Sequence, residues 1–103
     1  MRSATIVNAA SIVSRTVTVT VSGTPVQGPD IIVPGGFVVV CKGHYNNTGI
    51  ITVASSSTDA LNTSSNNHPL SQNQSLGVQV QNFNQLWFDA SVSGEKVILT
   101  VEK

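Results

Sequence analysis

Residues 55–75 read SSSTDALNTSSNNHPLSQNQS, and whether they are a linker or a loop decides the fold. The stretch holds one charged residue, Asp59, and follows neither helical nor strand periodicity. Composition alone describes a flexible linker between two modules. The flanks argue otherwise. IITVA (residues 50–54) precedes it and SLGVQV (residues 75–80) follows it, and neither half of the chain carries enough strands to fold alone. The stretch therefore reads as one long loop inside a single domain, pinned by Leu61 and Leu70. Loops of that length within compact domains are often functional, so it is also a candidate contact surface, uncharged and rich in hydrogen-bonding groups.

Working outward, strand signals dominate and no segment reads as a helix. In RTVTVTVSG (residues 15–23) Val17, Val19 and Val21 alternate with Thr16, Thr18 and Thr20, the pattern of a half-buried strand. Running that register backwards would bury Arg15, so the strand is expected to begin near Thr16 or to carry a bulge there. GTPVQGPDIIVPGG (residues 23–36) holds three of the four prolines and reads as turns around brief edge segments. In FVVVCKG (residues 37–43) both faces are apolar, which predicts cover on both sides by a second sheet or another subunit. HYNNTG (residues 44–49) is a turn. Leu76, Val78 and Val80 alternate with Gly77, Gln79 and Gln81, and Leu86, Phe88 and Ala90 with Trp87, Asp89 and Ser91. Ser93-Gly94 predicts a tight hairpin into a last strand that buries Val97, Leu99 and Val101. The fold expected is all-β: a single small antiparallel β-sandwich, jelly-roll-like or Greek-key, over residues 14–103, with residues 1–13 as an N-terminal arm or edge strand.

Composition restricts function. In 103 residues, 40% are apolar and only 10% charged, with a formal net charge of zero. A near-neutral surface of Ser, Thr, Asn and Gln suggests that much of it lies against a partner. The five basic residues are scattered, so no stripe exists to neutralise phosphates, and nucleic acid is not the expected ligand. No apolar run approaches the roughly 18–20 residues that span a bilayer. The first residues lack the apolar core of a secretion signal, which predicts synthesis in the cytoplasm.

Candidates for chemistry are few. Asp30, Asp59, Asp89, Glu95 and Glu102 form no pair spaced for acid and base work. Glu95 reads as a solvated turn carboxylate beside Lys96. His44 and His68 lie in loops without further ligands at metal spacing, and Cys41 reads as a small core residue. Neither an enzyme nor a cofactor is expected. Two aromatics stand out as binding anchors: Trp87, on the face opposite Leu86 and Phe88 and alongside Asp89, and Tyr45 in its turn. The competing reading of Trp87 places it under the chain's own loop.

Three segments carry a resemblance: NNTGIITVA (residues 46–54), PLSQNQSLGVQV (residues 69–80) and NFNQLWFDASVSGEK (residues 82–96). Together they resemble a pattern in small β-rich virion proteins of tailed bacteriophages, of the head decoration (cement) type. The resemblance covers about two thirds of the chain, using the strand boundaries above. Gln74 departs from it, standing where the pattern favours glycine, which leaves the turn type open. What the resemblance implies is a capsid-surface protein that binds across neighbouring major capsid proteins without covalent bonds, as a homo-oligomer with a trimer favoured. The alternative it allows is a tail or head-fibre component that recognises carbohydrate. The residues expected to meet a partner are Arg2, Ile6, Val7 and Ile12 in the arm, with Tyr45 and Trp87.

Overall fold

A computed structural model describes residues 13–102. Eight strands form: β1 (Ser14–Val19), β2 (Val26–Gln27), β3 (Val38–Gly43), β4 (Ile51–Ala54), β5 (His68–Leu70), β6 (Ser75–Val78), β7 (Trp87–Ala90) and β8 (Glu95–Glu102). One antiparallel sheet has the order β1-β8-β3-β6 and the other β2-β7-β4-β5. Successive strands change sheet at every step except β4 to β5. That order is the jelly roll, in which two Greek keys fold over one core.

The core is the set of inward positions read from alternation. Val17, Val19, Val39, Cys41, Val97, Leu99 and Val101 of the first sheet face Ile51, Val53, Leu70, Phe88 and Ala90 of the second. Burying side chains of this size stabilises by about 1.5–3 kcal/mol each before entropy is charged. The prolines sit where the ladder tolerates them. Pro25 and Pro29 flank the two-residue edge strand β2, and Pro69 lies in edge strand β5.

Several expectations need correction. Ser93-Gly94 does not make a hairpin, because β7 and β8 belong to different sheets; the turn carries the chain across the core. Gly94, at φ +89, donates its N–H to the Val19 carbonyl at 2.8 Å, which anchors that crossing. β1 starts at Ser14 without a bulge, with Arg15 paired to Leu99 yet exposed at the sheet rim. Val21 lies past the end of β1 and is 55% exposed, not inward. The long loop is not without regular structure. It holds a helical turn, α1 (Ser57–Ala60), capped by Ser56, and strand β5. A turn of 3-10 helix also forms at Phe83–Gln85, because Asn82 and Gln85 cap it reciprocally. The outer face of β3, Val38 and Val40, is only half covered.

The turn into β6 puts its positive φ at Asn73 (φ 64), so Gln74 need not be glycine. Asn73 donates to the Gly43 carbonyl, and Gly43 donates to that of Gln74, both at 2.9 Å. This closeness makes Gly43 essential, since a Cβ there would overlap the Ser71 carbonyl oxygen. A glycine-to-alanine change in a strand ordinarily stabilises by a fraction of a kcal/mol. Gly43→Ala is expected instead to cost about 1–3 kcal/mol, read by urea unfolding, because backbone must move to admit it.

Candidate functional site

Strands alternate in direction, so the connections β1–β2, β3–β4, β5–β6 and β7–β8 gather at one end of the sandwich. Hydrogen bonds tie them together. Ser22 N–H donates to Ser93 Oγ at 2.9 Å, Ile50 N–H to Ser91 Oγ at 2.9 Å, and Gln72 Nε2 to the Tyr45 carbonyl at 2.9 Å. Residues 20–25, 44–50, 71–74 and 91–94 contain no Asp, Glu, Lys or Arg. Among the described residues, four of the five large apolar side chains that stand exposed lie here: Val21, Tyr45, Ile50 and Val92. The fifth, Ile32, is at the other end.

Two buried carboxylates hold this end, and one of them, Glu95, was misjudged from sequence. Glu95 is not solvated. It accepts N–H bonds from Thr48 (2.9 Å) and Gly49 on the single oxygen Oε1, which fixes the loop between β3 and β4. Beside it the buried Asn47 takes the place of a strand residue. Its Nδ2 donates to the Lys96 carbonyl (2.7 Å) and its Oδ1 accepts from Lys96 N–H (2.9 Å).

Asp89, on the face left open between solvent, a partner and the chain's own loop, is wholly buried. Its Oδ1 accepts from Gly23 N–H (2.9 Å), and its Oδ2 from the N–H (2.7 Å) and Nδ2 (2.9 Å) of Asn62. Asn62 Nδ2 also donates to the Ala90 carbonyl at 2.9 Å, and Ser22 Oγ donates to the same carbonyl at 2.7 Å. The long loop thus folds back over the outer face of the β2-β7-β4-β5 sheet as far as the β1–β2 connection. Thr52, on the same face, is covered too and donates Oγ1 to the Ala60 carbonyl at 2.5 Å. Asn67 Nδ2 holds the loop's interior by donating to the carbonyls of Asp59 and Leu61. No residue type announced this clasp; the one sequence signal was a carboxylate at an alternating strand position without a cation nearby.

Between loop and sheet lies an open depression of about 340 Å³. Ile50, Thr52 and Pro69 floor it, and Asn62, Ser64 and Asn67 wall it. Its lining is uncharged and contains no aromatic ring.

The predicted anchors do not converge. Tyr45 is 63% exposed at the loop end, its ring stacked on His44 with centroids 4.4 Å apart. Trp87 starts β7 at the opposite end, half-buried on the outward face and paired with Gln27 and Ala54. The two cannot form one stacking platform. Arg2, Ile6, Val7 and Ile12 lie outside the described residues. Cys41 is buried, as read, and desolvation pushes its thiol up to about 12, so it stays protonated at neutral pH. Among the described residues no three His, Cys, Asp or Glu side chains stand together as a metal site, and no helix is long and apolar enough to cross a membrane.

Site and fold together define a jelly-roll domain with a clamped end whose connecting loops carry no charged residue. Compared with known proteins, the chain matches no family model, no curated protein and no solved structure.

Proposed function

We propose that this chain is a virion structural protein that decorates the head of a tailed bacteriophage, binding the outer surface across neighbouring major capsid proteins without covalent bonds. The observation that carries the reading is the loop end. It presents Val21, Tyr45, Ile50 and Val92 without a single charge, on loops already fixed by Glu95 and Asp89. A surface that is ordered before binding loses little entropy on contact, so a small apolar patch gives useful affinity. Many copies on one particle multiply the effect. The jelly roll suits the role by analogy, since capsid domains use it, although a fold alone does not specify function. Residues 1–12, which include Arg2, Ile6, Val7 and Ile12 and lie outside the described residues, are the second contact of this proposal; Val13 belongs to the β domain, its carbonyl accepting the Val101 N–H at 3.0 Å.

A second reading has its own support in the depression beside the long loop. Its hydroxyl and amide walls suit a neutral sugar, and jelly rolls also serve as lectins. Under that reading the chain belongs to a tail or head fibre.

Mass spectrometry of purified virions separates the two. Decoration requires copies on the order of hundreds per particle, as multivalent coverage demands; a handful would move the protein to the tail or fibre. On the same particles, deleting residues 1–12 is expected to reduce head occupancy while the β domain, which keeps Val13 against its core, stays folded. Unchanged occupancy would remove the arm from the binding account.

A further inference from the structure

Each of the two sheets has two edges, and three of the four carry a device that discourages pairing with another chain. β2 is two residues long between Pro25 and Pro29, β5 contains Pro69, and β1 carries the exposed Arg15. The fourth edge, β6, has no charge and no proline; its one bulge, Asn73 and Gln74 against Gly43, lies before the strand, and from Ser75 opposite Lys42 to Val78 opposite Val39 the register runs unbroken. Residues 60–88 contain no Asp, Glu, Lys or Arg at all.

The bonding pattern of β6 fixes which groups face outward. Gly43 points its N–H at the Gln74 carbonyl and so toward β6; Cys41 and Val39, two and four residues back along β3, face the same way, so their partners Leu76 and Val78 are the β6 residues bonded to β3. The N–H and C=O groups of Ser75, Gly77 and Gln79 therefore point away from the sheet. Leu76 and Val78 face the core yet remain half-exposed, because among the described residues no strand lies beyond them.

We propose that the β6 edge pairs antiparallel with the β6 edge of a second copy of this chain, joining two sheets into one across a two-fold axis. The sequence fits that axis. With Gly77 opposite Gly77 of the second copy, Ser75 falls opposite Gln79, and all three residues offer outward N–H and C=O groups to each other. Leu76 then stands against Val78 of the second copy on the core side, which covers both half-exposed side chains. An isologous contact sets each charge near its own copy, and this strand has none to repel. The resemblance to phage proteins implies a three-fold grouping; the edge geometry gives a two-fold one, and it does not depend on the decoration reading.

Sedimentation velocity of the full chain over a concentration series tests it. The contact is small, so a species of twice 10.8 kDa is expected to grow in at micromolar concentration. Hydrogen exchange at Ser75, Gly77 and Gln79 should slow in parallel. Gly77→Lys places two like charges on the axis and should weaken the dimer by roughly tenfold or more. A Cβ at Gly77 meets no atom within 4 Å, so the variant should keep its unfolding temperature. Thr18→Lys, on the exposed side of β1, should leave the dimer unchanged. A wild-type chain that sediments as one copy at every concentration, or as three, overturns the proposal, as does a dimer that Gly77→Lys leaves intact. Copy number per virion is a separate measurement, so either idea can fail alone.

Discussion

Asp89→Ala is expected to lower the midpoint of thermal unfolding by about 15–25 °C, corresponding to a loss of about 3–4 kcal/mol in a domain of this size. The side chain is wholly buried and accepts three N–H bonds from Gly23 and Asn62. Removing it leaves those donors without a partner, and each buried donor left unpaired costs about 1–3 kcal/mol, partly relieved where water enters. Asp89→Asn should cost nearly as much. Both carboxylate oxygens are used as acceptors, so whichever way the amide turns, its NH₂ meets a donor. A loss below about 1 kcal/mol in either variant would mean that the loop holds its place without the carboxylate. The damage should also be local at first. Amide exchange across residues 55–67 should rise before that of β3 and β8, since the long loop loses its bond to the sheet while the core residues keep theirs.

The same residue marks where sequence reading stopped. Alternation placed Leu86, Phe88 and Ala90 in the core correctly, because a strand with one inner face writes that face into its period. It left the Asp89 face open between solvent, a partner and the chain's own loop, because period says which side a residue faces, not what covers that side. The cover is the long loop, whose Asn62 lies 27 residues away and is chemically indistinguishable from its many Asn neighbours. Expecting one loop rather than a linker at residues 55–75 required only the flanking strands. Its helical turn and strand β5 were invisible, since four and three residues are too few to show a period. The hairpin expected at Ser93-Gly94 failed for a related reason. A glycine at positive φ serves a turn within one sheet or a crossing between two, and only the pairing of β8 with β1 and β3 decides which. Tyr45 was legible as an exposed side chain because it is an aromatic in a turn. Its companions Val21, Ile50 and Val92 come from three separate loops, which only the folded topology brings together.

Glu95→Ala should cost about 2–3 kcal/mol, and Glu95→Gln much less, about 1 kcal/mol or under. The contrast with Asp89 follows from which oxygens are used. Both N–H bonds, from Thr48 and Gly49, fall on Oε1 of Glu95, so a glutamine can keep its carbonyl oxygen there and turn its NH₂ to the unused side. The alanine variant leaves two backbone donors unpaired and frees the loop that carries Tyr45 and Ile50. Urea unfolding would give the stability difference, and exchange at Thr48 and Gly49 would show whether the loop has come loose. Under the decoration reading a third measurement separates structure from function. At a temperature where Glu95→Ala is still fully folded, its occupancy on heads should fall several-fold, because the apolar patch is no longer ordered before contact and binding must bear that entropy. Glu95→Gln should bind as the wild type does. Equal occupancy for all three would mean that the loop end does not touch the capsid, and the contact would have to be sought in residues 1–12 or on the outer face of Trp87.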